Sequence, residues 1–97
     1  MLKIIVHTAV EKELETAVLH YRNISRSVAN NFVASFERVI GRIAVFPTAF
    51  PEVDSRLRKA NFPDFPYYLL FSIQEDSVKI LLVRHYKQKT KTIDDRF

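Results

Sequence analysis

Cysteine is absent from this 97-residue chain, which excludes structural disulfides and thiolate metal sites. Glycine occurs once, at Gly41, and a single glycine cannot build a phosphate-cradling loop or a dinucleotide fingerprint. Long apolar runs are also missing. After Lys3 the N-terminus offers only Ile4-Ile5-Val6, too short for a secretory core or a membrane span, so a cytoplasmic protein with no membrane partner is expected. The three histidines, His7, His20 and His85, fall at no metal-binding spacing, and there is no nucleophile elbow. The acidic groups Glu11, Glu13, Glu15, Asp94 and Asp95 read as helix N-terminal charge or solvated tail. No metal or organic cofactor is therefore expected.

Aromatic and basic residues are plentiful. Eight Phe and four Tyr within 47% apolar content suffice for one modest core, and the length suits one domain over residues 1–97. The net charge of +4 is unevenly spread. Residues 1–54 hold six basic and six acidic groups, whereas residues 55–97 hold nine and five. A basic C-terminal half suits an anionic partner, nucleic acid or acidic protein, and equally suits an ordinary solubilising surface.

Hydrophobic spacing places the elements. Leu2 to Val6 reads as a strand. Thr8 and Glu11 form a capping box ahead of a helix with Val10, Leu14, Ala17, Val18 and Tyr21 on one stripe, Glu13 and Glu15 facing away. Ser25 or Ser27 caps a second helix striped by Val28, Phe32, Phe36, Val39, Ile40 and Ile43. Gly41 inside that stripe suggests close helix packing, and Pro47 ends the helix.

The period then changes to two. Arg56 to Ala60, Tyr67 to Ile73 and Val78 to Tyr86 read as strands, the last two joined by a turn at Gln74-Glu75-Asp76-Ser77. The tail from Lys87 to Phe97 is compatible with strand, loop or short helix. The expected fold is α+β in the order β-α-α-β-β-β, an antiparallel sheet with a helical hairpin on one face. Leu69, Phe71 and Ile73 share one sheet face and Tyr68 and Leu70 the other; Ile80 and Leu82 oppose Leu81 and Val83. Both faces are apolar, so the uncovered one requires a protein partner, a second copy, or shielding by neighbouring segments and the tail.

Arg56 and Arg58 project from one face of their strand. His85 and Lys87 share a face of the last strand, continued by Lys89 and Lys91 if the chain stays extended, with Arg84 and Tyr86 opposite. Such a cluster can hold a phosphodiester or grip acidic side chains, and lysines also protect sheet edges from aggregation.

The chain resembles the RelE/ParE superfamily of toxins from bacterial type II toxin–antitoxin, or plasmid stabilisation, systems. The likeness runs through Thr8-Ala9-Val10-Glu11-Lys12-Glu13-Leu14, Tyr21, Phe46-Pro47, Phe50-Pro51, Leu57-Arg58, Phe65-Pro66-Tyr67 and Val83-Arg84-His85. Its most specific part is Phe-Pro-Tyr ahead of a strand, with His 18 residues after that Tyr. The resemblance implies a growth-inhibiting toxin wrapped and neutralised by a cognate antitoxin in a hetero-oligomer. ParE-like members poison DNA gyrase and need no nuclease site; RelE-like members cut mRNA on the ribosome. Here Tyr86-Lys87-Gln88-Lys89-Thr90 stands where the family commonly has an Arg-Asp-Pro-like run, and no Tyr follows Tyr86. The ParE-like side is therefore favoured, with Arg56, Arg58, Arg84, His85 and Lys87 as the target-binding surface. The RelE-like alternative, an mRNA endoribonuclease, would use Arg58, His85 and Lys87 around the scissile phosphate. A non-toxic family member that only forms complexes is the third reading.

Overall fold

The computed structural model describes residues 2–89 and 93–97. Its elements are β1 (Lys3–Val6), α1 (Thr8–Arg22), α2 (Arg26–Val45), a 3-10 turn (Pro47–Ala49), β2 (Arg58–Asn61), β3 (Tyr67–Ile73), β4 (Ser77–His85) and a second 3-10 turn (Asp94–Arg96). The β-α-α-β-β-β order is as expected. Antiparallel pairing joins β2 to β3 and β3 to β4, while β1 lies parallel to β4 at the other edge, giving the order β1-β4-β3-β2. The connection from β1 to β4, which runs through both helices, β2 and β3, is long enough to permit that parallel pair.

Local caps fix the helices. At α1 the structure corrects the Thr8–Glu11 box: the cap is His7, whose Nδ1 accepts from the Ala9 N–H at 3.0 Å. The strand-to-helix switch falls one residue earlier than the box requires, so Thr8 already lies in the first turn. Ser25 caps α2, its Oγ accepting from the Val28 N–H at 3.4 Å. Gly41 does not mark close packing, for a Cβ there would meet nothing within 4 Å.

The helical hairpin covers one sheet face. Val10, Ala17, Phe32, Val39 and Ile43 from the helices pack on Tyr67, Leu69, Phe71, Val78, Ile80 and Val83. Phe32 is the centre of an aromatic cluster, with Tyr21, Phe62, Phe65 and Tyr67 rings 5.0–5.3 Å from its own. Ser35, buried on α2, donates to the Pro63 carbonyl at 2.7 Å and ties the β2–β3 loop to the helix.

A bulge alters the faces of β4. Leu70 pairs with Leu82 but Phe71 pairs with Ile80, so Leu81 is an extra residue without a partner on β3. Strict alternation is thereby corrected: Ile80 and Val83 both join the helix-covered core, and Leu81 and Leu82 both join the opposite face. That second face contains Leu57, Tyr68 and Leu70, and it is covered by the tail through Ile93 and Phe97. Asp94 accepts from Arg56 at 3.2 Å, the Arg56 guanidinium lies 4.4 Å from the Phe97 ring centre, and Lys79 Nζ donates to the Phe97 main-chain oxygen at 2.8 Å. Shielding by the tail is thus the arrangement found on this face. Among the described residues no helix is long and apolar enough to cross a membrane.

Candidate functional site

The basic residues singled out in the sequence lie at two separate ends of the sheet. Arg58 stands opposite Phe71, whereas His85 stands opposite Tyr67, four residues further along β3. At strand spacing that is about 13 Å along the sheet and about 10 Å across it. The two side chains do not converge on one point.

Arg58 is also engaged within the fold. Its Nη1 donates to the Phe50 and Thr48 carbonyls at 2.7 and 3.4 Å, and its Nη2 donates to Glu52 at 3.0 Å. It thereby pins the segment between α2 and β2 to the sheet edge. Arg56 holds the tail, as described above. Both border a recess of about 320 Å³ that also includes Ser55, Ser72 and Phe97.

At the other end, β4 stops at His85 and the chain turns at Tyr86-Lys87. The imidazole Nδ1 accepts from the Lys87 N–H at 2.9 Å, and Gln88 Oε1 accepts from the His85 N–H at 2.9 Å. Nδ1 must be unprotonated in that bond, so Nε2 carries the hydrogen. This turn corrects the expected extension: Lys87 and Lys89 do not continue a strand beyond His85, and Lys91 lies outside the described residues. The His85 ring meets Tyr67 edge-on, centroids 5.0 Å apart. Lys87 and Lys89 are exposed.

Two features were not read from the sequence. The first is a cation–aromatic patch at the same end of the tail-covered face. Tyr68 and Tyr86 stack with centroids 5.9 Å apart, and Lys59 Nζ lies 4.6 and 5.6 Å from their ring centres. With Val53, Leu70 and Gln88 they border a recess of about 320 Å³. Period-two spacing does place Lys59, Tyr68 and Leu70 on one face, but Tyr86 joins them only because the bulge resets the faces of β4.

The second is the position of Glu13, which was expected to face away. Instead its Oε1 accepts from the Val83 N–H at 3.0 Å, and its Oε2 accepts from Arg96 at 3.0 Å and lies 3.8 Å from Arg84 Nη2. Arg96 also donates to the Leu81 carbonyl at 2.9 Å. β4 runs beyond the end of β1, and these side chains satisfy backbone groups there that no neighbouring strand reaches. Arg84, expected on the active surface, is therefore drawn into a part-buried ion cluster.

Burial raises the phenol pKa of Tyr21 above its ordinary value; burial, with the neighbouring Tyr21, raises that of Tyr67. Among the described residues no group of three or more His, Asp or Glu side chains is placed to hold a metal ion.

The fold has a solved counterpart. A chain of the chromosomal ParDE TA system from P. aeruginosa superposes with a TM-score of 0.76 at 15% identity, covering 88% of this chain and 96% of that one. This chain has the fold of that ParDE chain. The expected β-α-α-β-β-β fold is thus borne out in the architecture shared with that ParDE chain. No protein-family model matches the sequence, and no curated protein matches it. At 15% identity the ParDE likeness lies in the arrangement of elements, and the side chains described above belong to this chain.

Proposed function

We propose that this chain is the toxin of a type II toxin–antitoxin pair, acting in the ParE-like manner. It binds and blocks a macromolecular target such as DNA gyrase, and a cognate antitoxin holds it inactive. The observation that carries this reading is the shared fold with a chain of the ParDE TA system over most of both chains.

The geometry favours binding over cutting. A phosphodiester nuclease must bring its base and its cations within hydrogen-bond reach of one phosphate. Arg58 and His85 stand about 13 Å apart along the sheet, and Arg58 directs three of its donors to Phe50, Thr48 and Glu52. Three basic side chains around one scissile bond are not assembled here. The proposed target surface is the end of β4, with His85 and exposed Lys87, flanked by Lys59 and Tyr86, while Arg84 is held in the ion cluster with Glu13. Arg56 and Arg58 serve that surface indirectly, by holding the tail and the loop before β2.

The test is biochemical. Purified protein is added to gyrase in a DNA supercoiling assay and, separately, to ribosomes translating a defined message. The reading predicts loss of supercoiling with intact message. Cleaved message with normal supercoiling would overturn it in favour of the nuclease.

A further inference from the structure

On the tail-covered face, a recess of about 320 Å³ is bordered by Val53, Lys59, Tyr68, Leu70, Tyr86 and Gln88. Tyr68 and Leu70, 8% and 6% exposed, form its floor, whereas Val53 and Tyr86, 49% and 50% exposed, form its rim. No carboxylate borders it, so Lys59 gives the recess a net positive charge. The Lys59 ammonium is also uncommitted. Strands β2, β3 and β4 carry four Lys or Arg residues. Three are engaged by oxygens of this chain: Arg58 by Phe50 and Glu52, Lys79 by Phe97, and Arg84 by Glu13. Lys59 Nζ instead lies against the Tyr68 and Tyr86 rings and, among the described residues, donates to no oxygen. A ring face attracts the charge but leaves the ammonium N–H groups unpaired. Among the described residues Arg84 Nε is the only buried side-chain nitrogen or oxygen without a partner, so Lys59 Nζ is open to solvent.

We propose that this recess binds an acidic side chain of a protein partner, its carboxylate meeting Lys59 Nζ and an adjoining apolar residue resting on Val53, Leu70 and the Tyr86 ring. The single cation matches a single carboxylate, and a hydrogen bond between two charged groups is stronger beside apolar walls than in open water. Gln88 adds a neutral donor: its Oε1 accepts from the His85 N–H, so its amide N–H groups are the unspent end. A nucleic-acid strand is the poorer match. It brings consecutive phosphates that call for several cations, and Arg56 and Lys79, which also reach this face, are spent on the tail. The inference deepens the partner half of the proposed function. Its test contains neither gyrase nor ribosome, so either reading can fail without the other.

The Lys59 ε-methylene and Tyr86 ring resonances are followed by NMR in labelled protein during titration with the capped dipeptide acetyl-Leu-Glu-amide. Acetyl-Leu-Gln-amide, and two uridines joined by a phosphodiester, form the other arms at equal ionic strength. The site predicts a saturable shift with the Glu peptide and about tenfold weaker binding of the Gln peptide, the loss expected for one charge-assisted hydrogen bond. The dinucleotide is expected to bind more weakly than the Glu peptide. Lys59→Gln should bring the Glu peptide down to the affinity of the Gln peptide. Tyr86→Ala, at an exposed turn position, should weaken it several-fold with the fold intact. The proposal is overturned by the absence of a saturable shift, by equal affinity for the two peptides, by tighter binding of the dinucleotide, or by an affinity indifferent to either variant.

Discussion

Glu13 joins three parts of the chain distant in sequence: α1, β4 and the tail. Its side chain is 17% exposed and that of Arg96 7%, so their pair is largely removed from water. Removing one member of such a pair leaves the other charge uncompensated. Glu13→Gln is therefore expected to destabilise the fold on the order of 3 kcal/mol, read as a lower urea midpoint. An unchanged midpoint would mean that the cluster is solvated and worth little. The apolar stripe of α1 sets Glu13 on the polar side, and spacing has no means of seeing a Val83 N–H 70 residues away. Gly41 departs from expectation for the opposite reason, since a helical glycine suggests a close neighbour and here there is only open space. Gly41→Ala should accordingly stabilise the protein by about 0.5–1 kcal/mol, seen as a higher melting temperature. A loss of stability would show that the α2 backbone there needs glycine.

Tyr21 and Tyr67 supply a pH dependence at the same scale. Both phenols sit in the aromatic cluster with their pKa values raised by burial, so the folded protein keeps these protons at pH values where the unfolded chain releases them. The contribution is present in full below the unfolded value of about 10 and is lost as pH rises through the folded values. Stability measured from pH 8 to pH 11 should fall at the alkaline end, and Tyr67→Phe should flatten that fall. An equal slope in the variant would exclude Tyr67 as a source.

Among the elements, the helices and the β3–β4 hairpin were legible because each has a clean period and a clear stop: Ser25 before α2, Pro47 after it, and the polar turn before Ser77. The bulge was not. Ile80, Leu81, Leu82 and Val83 are all apolar, so no pattern in them distinguishes strict alternation from a one-residue insertion. The consequence passes directly to the candidate site, because the bulge resets which residues near His85 share a face. The tail was illegible for a related reason. Its polar composition hides two apolar residues, Ile93 and Phe97, which close the second core. Ile93 is 5% exposed, and Ile93→Ala is expected to cost on the order of 2 kcal/mol while increasing binding of a hydrophobic dye. A variant with unchanged stability and dye binding would show that the tail does not cover this face in solution.

For the molecule as a whole, a small α+β scaffold carries its excess charge on the sheet half, with the basic groups divided between two ends. The Arg56–Arg58 end is occupied by internal bonds that hold a loop and the tail. The His85 end keeps Lys87 and Tyr86 exposed. That asymmetry suits a protein that docks on other macromolecules better than one that cuts them. The most direct test is induced expression of this chain alone in bacteria, following growth, the DNA-damage response and message integrity together. The account predicts growth arrest with a DNA-damage response and intact messages. Rapid message cleavage, or unimpaired growth with folded protein present, would contradict it.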